Sequence, residues 1–230
     1  MDSGLFLSLA VAHIIGDFYL QTDKCCEQKE RSKLKSWFLY VHAIIMGLLS
    51  WILVPSCYFG LWALSIAVSH FVIDAIKIYC SKGMWGFVID QLLHLGILVA
   101  ISTVYETAKE LPLQMIDCSS SFSTPLLILA ILLCMKPSNI LIKLILEKYQ
   151  VGESESCNNI KNAGALIGNL ERMLTIVFVI LGQFEAIGFI VAAKSILRFK
   201  DTDTAKTEYV LAGTFLSFGI AILCGLMVTL

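Results

Sequence analysis

Three pairs of residues in this chain are placed to do chemistry together: His13 with Asp17, His70 with Asp74, and Asp90 with His94. Each pair is spaced four apart, so on a helix its members share one face and can act at a common point. His42 supplies a fourth imidazole, and Gln21 extends the His13–Asp17 stripe by one turn. Imidazole and carboxylate together suit a divalent metal ion, zinc first, with manganese or iron as alternatives. An aspartate can ligate directly, or it can orient a histidine by accepting its other N–H. Seven groups exceed one tetrahedral set, which leaves either a two-metal centre or one metal with supporting aspartates. Two other readings stand beside the metal: a proton or ion relay, and a polar network that only fixes helix packing.

The elements that must position these residues are membrane helices. Of 230 residues, 57% are hydrophobic and 15% charged, and the mean hydropathy is +0.80. A soluble domain carries about 25% charged residues. The apolar residues also come in long runs that read as membrane spans. We expect an all-α, polytopic transmembrane bundle of about seven helices, over 4–20, 37–55, 58–78, 84–105, 124–145, 170–193 and 207–228. Residues 1–122 form the His/Asp-bearing four-helix domain and 123–230 a three-helix extension of one continuous bundle. The first apolar stretch contains His13 and Asp17 and lacks a basic leader, so it is expected to stay as the first helix. Lys136-Pro137 breaks the fifth run into a half-helix over 124–135 and an amphipathic piece to Tyr149, and Gly152–Asn162 reads as a polar loop. A net charge of −1 offers no basic face for nucleic acid. Eight scattered cysteines without a Cys-x-x-Cys give no disulfide framework, and Cys25-Cys26 could accept a lipid.

Depth brings the seven groups to one level. His13 and Asp17 end span one, His42 opens span two, His70 and Asp74 end span three, and Asp90 and His94 open span four. They share a slab about 10–15 Å thick at 1.5 Å rise per residue. An aspartate in mid-span costs about 2.5–3.5 kcal/mol to insert, so each needs a partner. Lysine and arginine crowd the first loop, from Lys24 to Lys35, which puts that side in the cytoplasm. The sixth loop, with Lys194, Arg198, Lys200 and Lys206, violates the alternation that seven crossings require.

In the C-terminal half, Glu171-Arg172 opens span six and reads as an interfacial anchor. Glu185 falls near the middle of that span, where a glutamate is costly, and is a further candidate: it would pair with Lys77, Lys136 or Arg198, or gate substrate. Gly164-x3-Gly168, Gly182-x3-Ala186 and Gly213-x3-Ser217 are small-residue pairs that favour close helix packing.

The run from Ala12 to Gln21 resembles the H-x-x-G-D-F-x-x-Q opening of the membrane proteins grouped as DUF3307, a family of unknown function. His42, Ser69 to Asp74 and Asp90 to His94 are similar to its later motifs, in order, and Gly168 to Gly213 is similar to an extension common among members. The resemblance implies a multi-pass protein of the bacterial inner (plasma) membrane and assigns no activity. A looser similarity, in His/Asp pairs on short spans, links the chain to YdjM-type membrane-bound metal-dependent hydrolases.

Two functions follow as expectations. One is a metal-dependent hydrolase acting on a lipid or lipid-linked substrate at the cytoplasmic leaflet. His13, His42, His70 and His94 would be ligands, and Asp17, Asp74 and Asp90 further ligands, supports or the base. The other is a transporter or channel for a metal ion or protons using the same residues. Beyond His94 and His42 the spans read Leu95 to Ala100 and Ala43 to Gly47, both apolar, which favours the hydrolase. The partners expected are the lipid bilayer and such a substrate, and the sequence leaves a homo-oligomer open.

Overall fold

The computed structural model describes residues 3–54, 56–80, 83–109, 123–149, 163–198 and 204–229. Every regular element among these residues is helical. The polar stretch Gly152–Asn162 lies outside them. The chain divides into two compact units, Met1–Leu129 and Ala130–Leu230, and each is described by itself.

In the first unit α1 (Ser3–Ile14) continues as a π-helical turn over Ile15–Leu20. Then come the polar α2 (Asp23–Ser32), α3 (Trp37–Leu53), α4 (Gly60–Lys77) and α5 (Met84–Lys109). The exterior is apolar: Trp37 is 72% and Leu61 79% exposed, while His70 is 2% and Asp90 3% exposed. This inversion of the soluble pattern is what a bilayer imposes, because hydrocarbon solvates leucine and cannot solvate imidazole or carboxylate. Gly60–Lys77 and Met84–Ala108 are long and apolar enough to cross a membrane, while Gly4–Leu20 and Trp37–Leu53 are shorter apolar helices. A Cβ on Gly47 would meet the Ala67 methyl carbon at 2.9 Å and the Ala63 carbonyl oxygen at 3.0 Å. The two backbones therefore touch along α3 and α4, and that contact sets the spacing of His42 and His70.

In the second unit the span Thr124–Lys148, which begins in the first, is long and apolar enough to cross, but it is broken. Helix α6 (Ser123–Cys134) stops, and α7 (Lys136–Lys148) restarts with Pro137 in its first turn. The break frees carbonyls that lipid cannot satisfy. The Ser138 hydroxyl takes that of Leu133, at 2.6 Å, and Arg172 Nε takes that of Cys134. Arg172 is 2% exposed, and its remaining donors reach Ser217 Oγ at 2.8 Å, Asn169 Oδ1 at 2.7 Å and Asn139 Oδ1. The sequence reading made Glu171-Arg172 an interfacial anchor. Arg172 instead ties α6, α7, α8 (Ala163–Ile180) and α10 (Thr204–Thr229) together.

The expected sixth span is not one helix. Helix α8 ends at Ile180 and α9 covers Phe184–Arg198. Gly182 has φ +69°, its N–H donates to the Val179 carbonyl at 3.0 Å, and the Gln183 N–H donates to the Phe178 carbonyl at 2.8 Å. These are the paired bonds of a glycine-capped helix end, so Gly182 serves a turn and not a helix-packing pair. Lys194 Nζ bonds Glu171 Oε2 at 2.7 Å, and Val179 packs with Ile187. The two helices thus fold back as a hairpin. Glu185 sits exposed in the first turn of α9, not in mid-span. A hairpin returns the chain to the end it left, so the start of α8 and the end of α9 lie at one level.

Two outcomes follow. Arg172→Met leaves several buried acceptors unpaired at about 1–3 kcal/mol each, so thermal unfolding in detergent should show a large fall in Tm. Single cysteines at Gly164 and Ser195, in a cysteine-free background, should label from the same membrane side; labelling from opposite sides would rule out the hairpin.

Candidate metal centre

Four helices of the first unit deliver seven ionisable groups to one place. Helix α1 and its π-turn carry His13 and Asp17; α3 carries His42; α4 carries His70 and Asp74; α5 carries Asp90 and His94. Each of the seven is buried or nearly so, the side chains of Asp17 and Asp74 each 9% exposed. The His70 ring lies 4.1 Å from that of His94 and 4.9 Å from that of His42, and the His13 ring lies 5.0 Å from that of His94, centre to centre. The π winding over Ile15–Leu20 sets Asp17 in the cluster, and Gly16 leaves room for the Met46 sulfur of α3 to pack against the turn.

Asp17 is the centre of the cluster. Its Oδ1 lies 3.1 Å from His42 Nε2 and 3.2 Å from His70 Nε2, and those two nitrogens lie 3.0 Å apart. Each nitrogen of a neutral imidazole carries a proton or a lone pair. If both Nε2 atoms donate to Asp17, two N–H groups oppose each other across the third edge. If one donates to the other, the acceptor's lone pair is spent and its contact with the carboxylate has no proton. Three edges cannot be satisfied by two protons. A cation capping the triangle satisfies all three, and the edges come close to the roughly 3.3 Å between ligands about 2.0–2.1 Å from a tetrahedral zinc ion.

His94 makes the same point separately. Its Nδ1 lies 2.9 Å from the Asp90 carbonyl oxygen, an acceptor, so Nδ1 holds the proton and Nε2 of the neutral ring holds a lone pair. That Nε2 is buried and has no hydrogen-bond partner. One ligand atom each of His13, Asp17 and His94 lie within 4.8 Å of one another, and the same holds for Asp17, His42 and His70 and for His70, Asp74 and His94. These His/Asp groups could hold a metal ion.

The charge count agrees. Lys29 Nζ of α2 donates to Asp74 Oδ2 at 2.6 Å, and Lys77 Nζ donates to Asp90 Oδ2 at 2.6 Å. Two ammoniums offset two of the three carboxylates. Asp17 is left with imidazoles and an amide, since Gln91 Nε2 donates to its Oδ2 at 3.2 Å and to Asp90 Oδ2 at 3.2 Å. Neutral imidazoles therefore leave one negative charge in a low-dielectric site, which a cation or a bound proton must balance.

Some residues fall elsewhere. Gln21 caps the π-turn and donates to Cys26 Sγ at 3.0 Å. Glu185 lies in the second unit, and Lys77, once considered for it, holds Asp90. The sequence reading missed three participants. Gln91 was visible, because it sits between Asp90 and His94 on the same helix. Lys77 follows Asp74 by three and could have been read as its neighbour. Lys29 carried no signal among the five basic residues of the first loop.

A family model described as "protein of unknown function (DUF3307)" matches residues 5–123. The chain belongs to that family. Its matched region holds all seven groups and both lysines. No curated protein and no solved structure matches the chain.

The lysine pairing predicts a specific double-mutant result. Lys29→Met leaves Asp74 buried and unpaired, a loss of about 3–5 kcal/mol when one partner of a buried pair is removed. Lys29→Met combined with Asp74→Leu should regain most of the lost Tm in detergent. A double variant no more stable than the single one would mean that the pair is not a closed unit.

Proposed function

We propose that this protein is a membrane metalloenzyme, a metal-dependent hydrolase acting on a lipid or lipid-linked substrate at the cytoplasmic leaflet. The observation that carries the reading is the Asp17–His42–His70 triangle, whose three contacts a cation satisfies and protons do not. Zinc suits the mixed imidazole and carboxylate set best, with manganese or iron as alternatives. A bound metal supplies an acidified water.

The surroundings support hydrolysis. A cavity of about 10 Å³ touches His13, His70 and His94 on one side and Met46, Ile66 and Leu98 on the other, about the room that one water needs. Asp90 Oδ1 is buried without a hydrogen-bond partner, while its Oδ2 holds Lys77 and Gln91. That free oxygen is the acceptor we assign to the water's proton. Gln91 joins Asp90 to Asp17 through one amide group, which keeps the base beside the ligand carboxylate.

A transporter using the same residues needs a polar path through the bundle. Beyond the cavity the interior of the first unit is Leu9, Phe59, Ala63, Ile66 and Leu98, packed without a charged side chain. This favours a resident ion over a passing one. The apolar exterior of the helices is the surface along which a lipid substrate would arrive.

Elemental analysis of the full chain, purified in detergent without chelator, should find stoichiometric metal in the wild type and its loss in His42→Ala and His70→Ala. Acidification should release the metal, because each imidazole must be neutral to ligate. A metal-free wild type that takes up no zinc, manganese or iron would reduce the cluster to a relay or a packing device.

A further inference from the structure

We infer that the site holds a carboxylate-bridged pair of divalent cations, with Asp17 as the bridge, and that its substrate is a phosphoester on a lipid. This rests on the metalloenzyme reading above and deepens it.

The two oxygens of Asp17 serve two donor sets. Oδ1 faces His42 Nε2 and His70 Nε2, at 3.1 and 3.2 Å. Oδ2 lies 3.7 Å from His13 Nε2, and the Gln91 amide contacts both, its Nε2 donating to Oδ2 at 3.2 Å and its Oε1 lying 3.4 Å from His13 Nε2. His94, whose Nε2 has no hydrogen-bond partner, offers a ligand atom within 4.8 Å of those of His13 and Asp17, and also of those of His70 and Asp74; we assign it to the first group. His94 is 3% exposed. One cation in the triangle leaves it unsatisfied. A second cation on His13, His94 and Asp17 Oδ2 satisfies it, and a carboxylate joining two ions matches the roughly 3.5–4 Å separation of two-metal hydrolytic sites.

Charge then selects the substrate. Three carboxylates against two ammoniums leave one negative charge. Two divalent ions and one bound water, whose proton stays in the site on Asp90, turn this into about three positive charges in a site shielded from water. A dianionic phosphate monoester offsets most of that excess; an amide or carboxylic ester offsets none of it. Lys77, whose side chain is 48% exposed, marks the open edge of the cluster, where a phosphate would enter. The reaction balances with one water. The water oxygen bonds to phosphorus as the bond to the lipid's ester oxygen breaks. The water's proton passes to Asp90 Oδ1 and on to the departing oxygen, giving a lipid alcohol and inorganic phosphate.

The test uses the full chain in detergent, stripped with chelator and reloaded with Mn²⁺, read by metal analysis and electron paramagnetic resonance with and without inorganic phosphate. We expect about two ions per chain, an exchange-coupled spectrum in place of isolated six-line signals, and a change in that spectrum on adding phosphate. His94→Ala should hold one ion with an uncoupled signal, and Asp17→Asn should abolish the coupling; an unchanged elution profile and Tm would show that each variant folds. Saturation of the wild type at one uncoupled ion would overturn the pair and leave the single-metal reading standing. Two coupled ions blind to phosphate would overturn the substrate class. No bound ion would remove this inference and the metalloenzyme reading together.

Discussion

A carboxylate placed in hydrocarbon must be matched by positive charge or by donated protons, and the first unit is arranged around three such carboxylates. Two are matched within the chain. Lys29 closes on Asp74 and Lys77 on Asp90, each at 2.6 Å. The third, Asp17, is surrounded by imidazole nitrogens and one amide. With fixed ammoniums at two sites and imidazole nitrogens at the third, Asp17 is the carboxylate around which a metal ion could bind.

The same constraint, with the sign reversed, organises the second unit. Arg172 is a buried cation whose partners are neutral oxygens: a main-chain carbonyl, a hydroxyl and two amides. Its charge is spread over acceptors that the broken helix at Met135 and the neighbouring helices supply. The adjacent Glu171 turns to Lys194 and pins the hairpin. The residues are adjacent in sequence but do different work, one filling the gap that Pro137 opens and the other holding two antiparallel helices at one level.

The legibility of the fold follows from these physical causes. Three His/Asp pairs at helical spacing, with His42 on the span between them, were enough to bring seven groups to one depth, because a membrane helix allows few other placements for them. The break at Lys136-Pro137 was legible because proline removes a specific hydrogen bond. The break at Gly182 was not: a glycine in an apolar run is common in membrane helices and announces a turn only when its backbone turns left-handed. The misplaced crossing was nevertheless signalled by the basic sixth loop, which one span could not accommodate. Gln21 was assigned to the cluster by regular 3.6-residue winding, and the π-turn at Ile15–Leu20 changes that register just past Asp17. Lys29 lay beyond sequence reasoning, since a loop lysine becomes a buried ion pair only through the tertiary position of α2.

The position of the cluster within its bundle also limits what it can do. The apolar plug of Leu9, Phe59, Ala63, Ile66 and Leu98 closes one end. The other end is covered by polar α2, which is held at its buried face by one lysine. A site sealed by hydrocarbon on one side and by a short charged helix on the other admits ligand from one direction only. The lysine contact that covers it depends on the charge of Asp74, one of the groups that could bind the ion. Any cation drawing Asp74 into its coordination competes with Lys29 for that carboxylate and loosens α2 by the strength of the bond it replaces. The Asp74 carboxylate can serve the Lys29 pair or a cation, so α2 is tied to the cluster through that one side chain.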